Sequence, residues 1–210
     1  MSIETTTCVL IHGYRWGTPD WEHVMWGDPA RREFGRIVKG IEVARTRNAH
    51  VYWGGGLDAE NIHAFAIDRL DALTQLFGSD VKNILTDQST IGRNGGKTIT
   101  EVGEALILCQ TRQFSKLVLI SDEVHLERCC LLALRTQKVL ELRGQIDIIP
   151  HASDTTFTDQ VPVLFEPRTA YRDNLHDVAS ALLLLDGTCN GDIEEARREL
   201  HACISTLREG

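Results

Sequence analysis

The sequence predicts an α/β fold, a three-layer α/β/α sandwich built around a mainly parallel sheet of about five strands. Three observations point there. Apolar runs of strand length, rich in Val, Ile and Leu, recur along the first 150 residues. Between them lie stretches whose apolar residues recur at three- and four-residue steps, the helical period. The runs are near-continuous rather than alternating, as in strands that crossover helices cover on both faces.

In order, residues 8–11 (CVLI) form the first strand, and the long segment 13–29 after it holds three of the four tryptophans, Trp16, Trp21 and Trp26. A connection of that length is uncommon in α/β units unless functional, and its aromatic content argues for a loop that closes over a ligand. Helical spacing covers 31–45, and residues 51–53 form the second strand, which ends at Gly54, Gly55 and Gly56. Residues 59–77 follow as a helix, with Ile62, Ala66, Leu70, Leu73 and Phe77 on one face. Strands at 81–85, 117–120 and 146–149 then alternate with helices at 100–114 and 124–142. Beyond Pro150, a polar segment with Pro162 and Pro167 leads to helical stretches at 171–185 and 192–207. These are expected to pack on the sheet as an extension, 155–210, of a single domain spanning 1–210.

With 42% hydrophobic and 25% charged residues, a chain of 210 residues suffices for one domain with its own core. The formal net charge of −8 argues against nucleic acid or an anionic membrane as a partner, since both require a basic surface. The N-terminus lacks the basic and apolar regions of a signal peptide, and no stretch reaches membrane-spanning length, so the chain reads as cytoplasmic. The six cysteines sit in apolar or helical runs without C-x-x-C spacing, and the eight histidines form no H-x-x-x-H pair. No metal site of closely spaced ligands is expected, which leaves only one assembled from distant loops.

In open parallel sheets ligands bind beyond the carboxyl ends of the strands, where the strand order reverses. If the order is 3-2-1-4-5, the first and fourth strands flank that point. The residues leaving them are His12, Gly13 and Arg15 on one side, Ser121 and Asp122 on the other. The fourth strand breaks directly into Ser121, Asp122, Glu123, His125 and Arg128. In one reading Asp122 and His125 transfer protons, while Arg128 on the same helical face holds an anion at the helix start. In the other, Asp122 caps the helix and Arg128 pairs with surface carboxylates. Gly54, Gly55 and Gly56 either admit a ligand close to backbone or supply tight-turn torsions.

The stretch 92–98, GRNGGKT, has the tail of a phosphate loop but lacks its first glycine, Ile91 standing in that place. Thr98 to Glu101 has the S/T-x-x-E form of a capping box, and a helix start reached through glycines is itself an anion site. No G-x-S-x-G elbow occurs, and no G-x-G-x-x-G follows the first strand, which argues against an α/β-hydrolase and a dinucleotide dehydrogenase.

Together these stretches resemble the YdcF/SanA/ElyC-like family of bacterial proteins. The resemblance is carried by Arg31 and Arg32, by VYWGGG, by ILTDQSTIGRNGGKTITEVGEAL and above all by LISDEVHLERC. His125 and Arg128 match the last family motif outright, while Ser121 stands for its Thr, Asp122 for its Ser and Leu126 for its Met. The first strand departs from the pattern, ending in Ile-His-Gly where the family has Leu-Gly. The resemblance covers residues 7–155. It implies a Rossmann-like sandwich with a pocket at the strand ends that takes a nucleotide or S-adenosylmethionine.

Two functions are therefore expected. The first is a hydrolase or transferase acting on a small anionic metabolite, phosphate- or nucleotide-bearing, with Asp122 and His125 catalytic. His12, Gly13, Arg15, Gly54, Gly55, Gly56, Thr98, Glu101, Ser121 and Arg128 would bind that ligand. The second is a non-catalytic protein that binds S-adenosylmethionine or a nucleotide in the same pocket. Asp122 favours the first, because a carboxylate beside an anion site works against binding.

Overall fold

The computed structural model describes residues 6–93, 97–142 and 144–155. They fall within the compact unit Met1–Gln160. The expected helices at 171–185 and 192–207 lie outside the described residues.

In chain order the elements are β1 (Thr7–Ile11), α1 (Trp21–Met25), β2 (Gly27–Asp28), β3 (Glu33–Phe34), α2 (Arg36–Arg47), β4 (His50–Trp53), α3 (Ala59–Asp68) and α4 (Leu70–Phe77). There follow α5 (Val81–Thr86), β5 (Ser89–Ile91), α6 (Thr98–Arg112), β6 (Lys116–Ser121), α7 (Glu123–Val139) and β7 (Asp147–Ala152). Five strands form a parallel sheet in the order β5-β4-β1-β6-β7, while β2 and β3 pair as a separate antiparallel ribbon. Among the strands of the sheet this is the 3-2-1-4-5 order, and it reverses between β1 and β6.

The layers follow from the two-residue period of β1. Val9 and Ile11 turn to a core shared with α1 to α5, through Met25, Ile37, Ile41, Ile62, Leu73 and Leu85. Cys8 and Leu10 turn to the opposite core, shared with Val102, Leu106 and Cys109 of α6 and Cys129 and Ala133 of α7. Each Val, Leu, Ile or Met side chain among them contributes roughly 1.5–3 kcal/mol when withdrawn from water. Helix α2 presses closely on β1 at Gly40, where a Cβ would lie 2.5 Å from the Ile11 side chain. Among the described residues, no helix is long and apolar enough to cross a membrane.

Some local expectations need correction. Residues 81–85 are helical, not a strand, because Val81, Ile84 and Leu85 bury themselves at helical steps. The third strand is instead β5, a short edge strand reading Ser-Thr-Ile and only half-buried, which leaves no aliphatic run to detect. The helix expected over 59–77 is two, α3 and α4, broken at Arg69 where ψ reaches 19°. The helix expected from residue 31 starts at Arg36, since Pro29–Arg31 forms a 3-10 turn and Arg32 takes a φ of 62°. Nor is 13–29 an open loop. It contains α1 and β2, and Trp21 and Trp26 are buried against Phe65, with ring centroids 4.8 and 5.8 Å away. Only Trp16, 40% exposed, keeps a face toward solvent.

Candidate functional site

Strands β1 and β6 lie side by side and end level, Ile11 opposite Ile120, so His12 and Ser121 emerge next to each other at the reversal point. Helix α7 begins immediately after β6. Its cap is Asp122, whose Oδ1 accepts from the His125 backbone N–H at 3.0 Å. His125 heads the buried stripe of α7, continued by Cys129, Leu132 and Ala133 at four-, three- and one-residue steps. That phase turns an ionisable ring inward, toward the start of α6.

His125 is held by two hydroxyls. Its Nδ1 lies 3.0 Å from Ser121 Oγ, and its Nε2 lies 3.1 Å from Thr98 Oγ1. Arg128, one turn along α7, donates from Nη2 to the same Thr98 oxygen at 2.8 Å. Burial, reinforced by the charges of Arg36, Arg128 and His12, holds the His125 imidazole well below its ordinary pKa, so it is neutral.

Beside it, with ring centroids 5.8 Å apart, His12 is in the opposite state. Its Nδ1 lies 2.7 Å from Glu101 Oε2, and Glu101 Oε1 accepts from the Gly55 backbone N–H at 2.7 Å. Burial opposes charge on His12, but Cys129 and then Glu101 outweigh it and raise the imidazole to about 9. No hydrogen bond of sound geometry reaches Nε2, although Cys129 lies near enough to support the charge.

A third buried pair underlies both rings. Arg36, 1% exposed, donates from Nη2 to Asp122 Oδ2 and from Nη1 to the carbonyl oxygens of His12 and Gly13 at 3.3 and 2.8 Å. It thus ties the end of β1 to the start of α7.

The structure brings together His12, Thr98, Glu101, Ser121, Asp122, His125 and Arg128. Arg15 is not among them, being an exposed residue whose carbonyl accepts from Thr18. The glycines serve the chain's own packing. A Cβ on Gly13 would lie 2.2 Å from the Gly55 Cα, and one on Gly54 would lie 2.8 Å from the Ile11 carbonyl oxygen and 3.0 Å from Glu101 Oε2. Gly55 and Gly56 take φ of 114° and 58°, which suits a turn of glycines. The capping box is also corrected. Lys97 holds the cap position of α6 without a side-chain bond, while Thr98 and Glu101 reach sideways to the histidines because those buried rings need partners.

Arg36 and Cys129 went unnoticed in the sequence. The signal for Arg36 is a cation amid the apolar helix face RIVKGI, and for Cys129 it is the four-residue step from His125. Among the described residues, no group of three or more His, Cys, Asp or Glu could hold a metal ion. A groove of about 860 Å³ opens elsewhere, along the β5 edge between Glu60 and His63 of α3 and Glu104 and Ile107 of α6. None of its lining residues belongs to the cluster.

Fold and site thus define an open parallel α/β protein with a buried polar cluster at its reversal point. No family model, curated protein or solved structure matches the chain.

Proposed function

We propose that the chain is an enzyme, a hydrolase or transferase, acting on a small anionic and phosphate- or nucleotide-bearing metabolite at the carboxyl ends of β1 and β6. The supporting observation is His125, a neutral imidazole fixed between two hydroxyls, one of which also takes a guanidinium N–H. A neutral imidazole can accept a proton, and a fixed one loses little freedom in doing so. Arg36 pairs with Asp122 and His12 with Glu101, while Arg128, more accessible than either of those cations, presents a guanidinium beside Thr98 that suits an anion. Asp122, with both oxygens engaged, is a positioning residue here, and His125 carries the proton transfer.

A second reading, a non-catalytic binder of S-adenosylmethionine or a nucleotide as the likeness to the YdcF/SanA/ElyC-like family implies, draws support from one observation. The cluster's carboxylates satisfy the protein's own donors, and the cradle at Gly13 and Gly54 is filled by its own backbone and Glu101. A cytoplasmic setting without nucleic-acid or membrane partners fits the net charge of −8 and the neighbouring cysteines Cys8 and Cys109, which are both free thiols.

Native mass spectrometry of the purified chain would identify a retained ligand, and turnover of that compound would then be followed in variants. His125→Ala is expected to lower kcat by about 10²–10⁴ while retaining the ligand. Arg128→Ala is expected to weaken binding by roughly 1.5–3 kcal/mol. Undiminished turnover in His125→Ala would exclude the acid–base assignment, and a ligand held without any turnover by the native chain would establish the binder.

A further inference from the structure

We infer that Thr98 is the nucleophile of this site, its hydroxyl proton directed to His125 and its oxygen held by Arg128. The inference rests on the catalytic reading of the cluster proposed above. Thr98 is the first residue of α6, but its side chain takes no part in capping. It crosses instead to α7 and joins a chain of contacts, Arg128 Nη2 to Thr98 Oγ1 at 2.8 Å, Oγ1 to His125 Nε2 at 3.1 Å, His125 Nδ1 to Ser121 Oγ at 3.0 Å.

The order of protons follows from what each group can do. A guanidinium only donates, so Oγ1 is an acceptor toward Arg128. With Arg128 donating to Oγ1, the arrangement that gives every group a complementary role has the threonine proton pointing to Nε2 and the ring proton on Nδ1, donated to Ser121. This is the arrangement of an activated nucleophile, with a base on the hydroxyl and a third group orienting the base. Two hydroxyls contact the ring, yet only Thr98 also receives a cation, and it is 8% exposed where Ser121 is fully enclosed. Arg128 would stabilise negative charge on the oxygen as its proton departs.

With a phosphoester as substrate, the Thr98 O–H bond breaks and its proton passes to Nε2 while the oxygen's electron pair bonds to phosphorus. The P–O bond to the leaving group breaks, and that oxygen takes the proton from His125. In the second half, water gives a proton to Nε2 as its oxygen bonds to phosphorus. Thr98 then leaves with that proton. The sum is phosphoester plus water to phosphate plus alcohol.

The test uses the full chain and diisopropyl fluorophosphate, in which fluoride is the leaving group. Peptide mapping by mass spectrometry is expected to place the phosphoryl adduct on Thr98. Labelling should slow with excess inorganic phosphate, fall about 10²–10⁴-fold in His125→Ala and vanish from this peptide in Thr98→Val. The site of the adduct is read on the native chain, so a variant that fails to fold does not shield the inference. Phosphate binding is followed separately, as a rise in the thermal midpoint of the native chain that Arg128→Ala removes. Phosphate binding with no Thr98 adduct overturns the nucleophile and leaves the anion site standing. An adduct on Ser121 alone overturns it too, and an adduct on Thr98 without phosphate binding upholds it while overturning the anionic substrate.

Discussion

His12 and His125 are alike in residue type, in depth and in place, yet they hold opposite charges with ring centroids 5.8 Å apart. Burial acts on both in the same direction, against the proton. What separates them is their neighbours: Cys129 and a carboxylate at 2.7 Å for His12, two hydroxyls for His125. Once His12 is charged, it helps to keep His125 neutral. A buried imidazole therefore reports its first contacts rather than its depth, and one such ring can set the state of the next.

The largest expected effect comes from breaking the support beneath both rings. Asp122→Asn keeps a capping oxygen but removes the carboxylate that faces buried Arg36, which cannot shed its proton, so stability should fall by about 3–5 kcal/mol in denaturant titration. A loss within a few tenths of a kcal/mol would show that Asp122 is a cap and nothing more.

The pH profile of stability sharpens the comparison. His12 is raised in the folded state, so its contribution is complete below the unfolded value near 6.5 and is lost as pH climbs through about 9, a decline of roughly 3 kcal/mol. His125 is lowered, so the unfolded chain alone takes up its proton, and stability drops as pH falls below 6.5. Denaturation midpoints across pH should peak near neutrality, and His125→Ala should flatten only the acid side.

Glu101→Gln should cost about 1–3 kcal/mol, less than Asp122→Asn, because His12 can neutralise itself where Arg36 cannot. Nuclear magnetic resonance would then find the His12 titration well below its native position; an unmoved titration would assign the charge to Cys129 instead. Smallest is Thr98→Val, about 1–2 kcal/mol, because the two hydrogen bonds that its hydroxyl makes from α6 to α7 disappear. In the native chain the His125 nitrogen shifts should report a proton on Nδ1.

The α7 half of the site was legible because ionisable residues follow the aliphatic run 117–120 without a spacer, and a parallel sheet puts such residues at its ligand-binding end. Thr98 and Glu101 were singled out by capping-box spacing, yet they act across the site and not back along the helix. Arg36 stayed hidden because arginine is seldom fully buried, and only the third dimension supplies its partner, 86 positions away at Asp122. The third strand is hard to place from sequence for a related reason. VKNIL has the length of a strand and the spacing of a helical turn, and the real strand, Ser-Thr-Ile, owes its place to pairing with β4 rather than to its own composition.

Among the described residues, strand β7 closes the sheet at one border and carries Pro150 opposite Leu119. The backbone N–H groups of Asp147 and Ser153 donate at 2.8 Å to the carbonyl oxygens of Ser115, just before β6, and Ser121, its last residue, so the nitrogens of even-numbered residues between them, Pro150 included, face away from the sheet. In that orientation proline leaves the parallel ladder intact. On its outer side β7 therefore has a gap midway along its row of donors, a feature that discourages the pairing of a further strand.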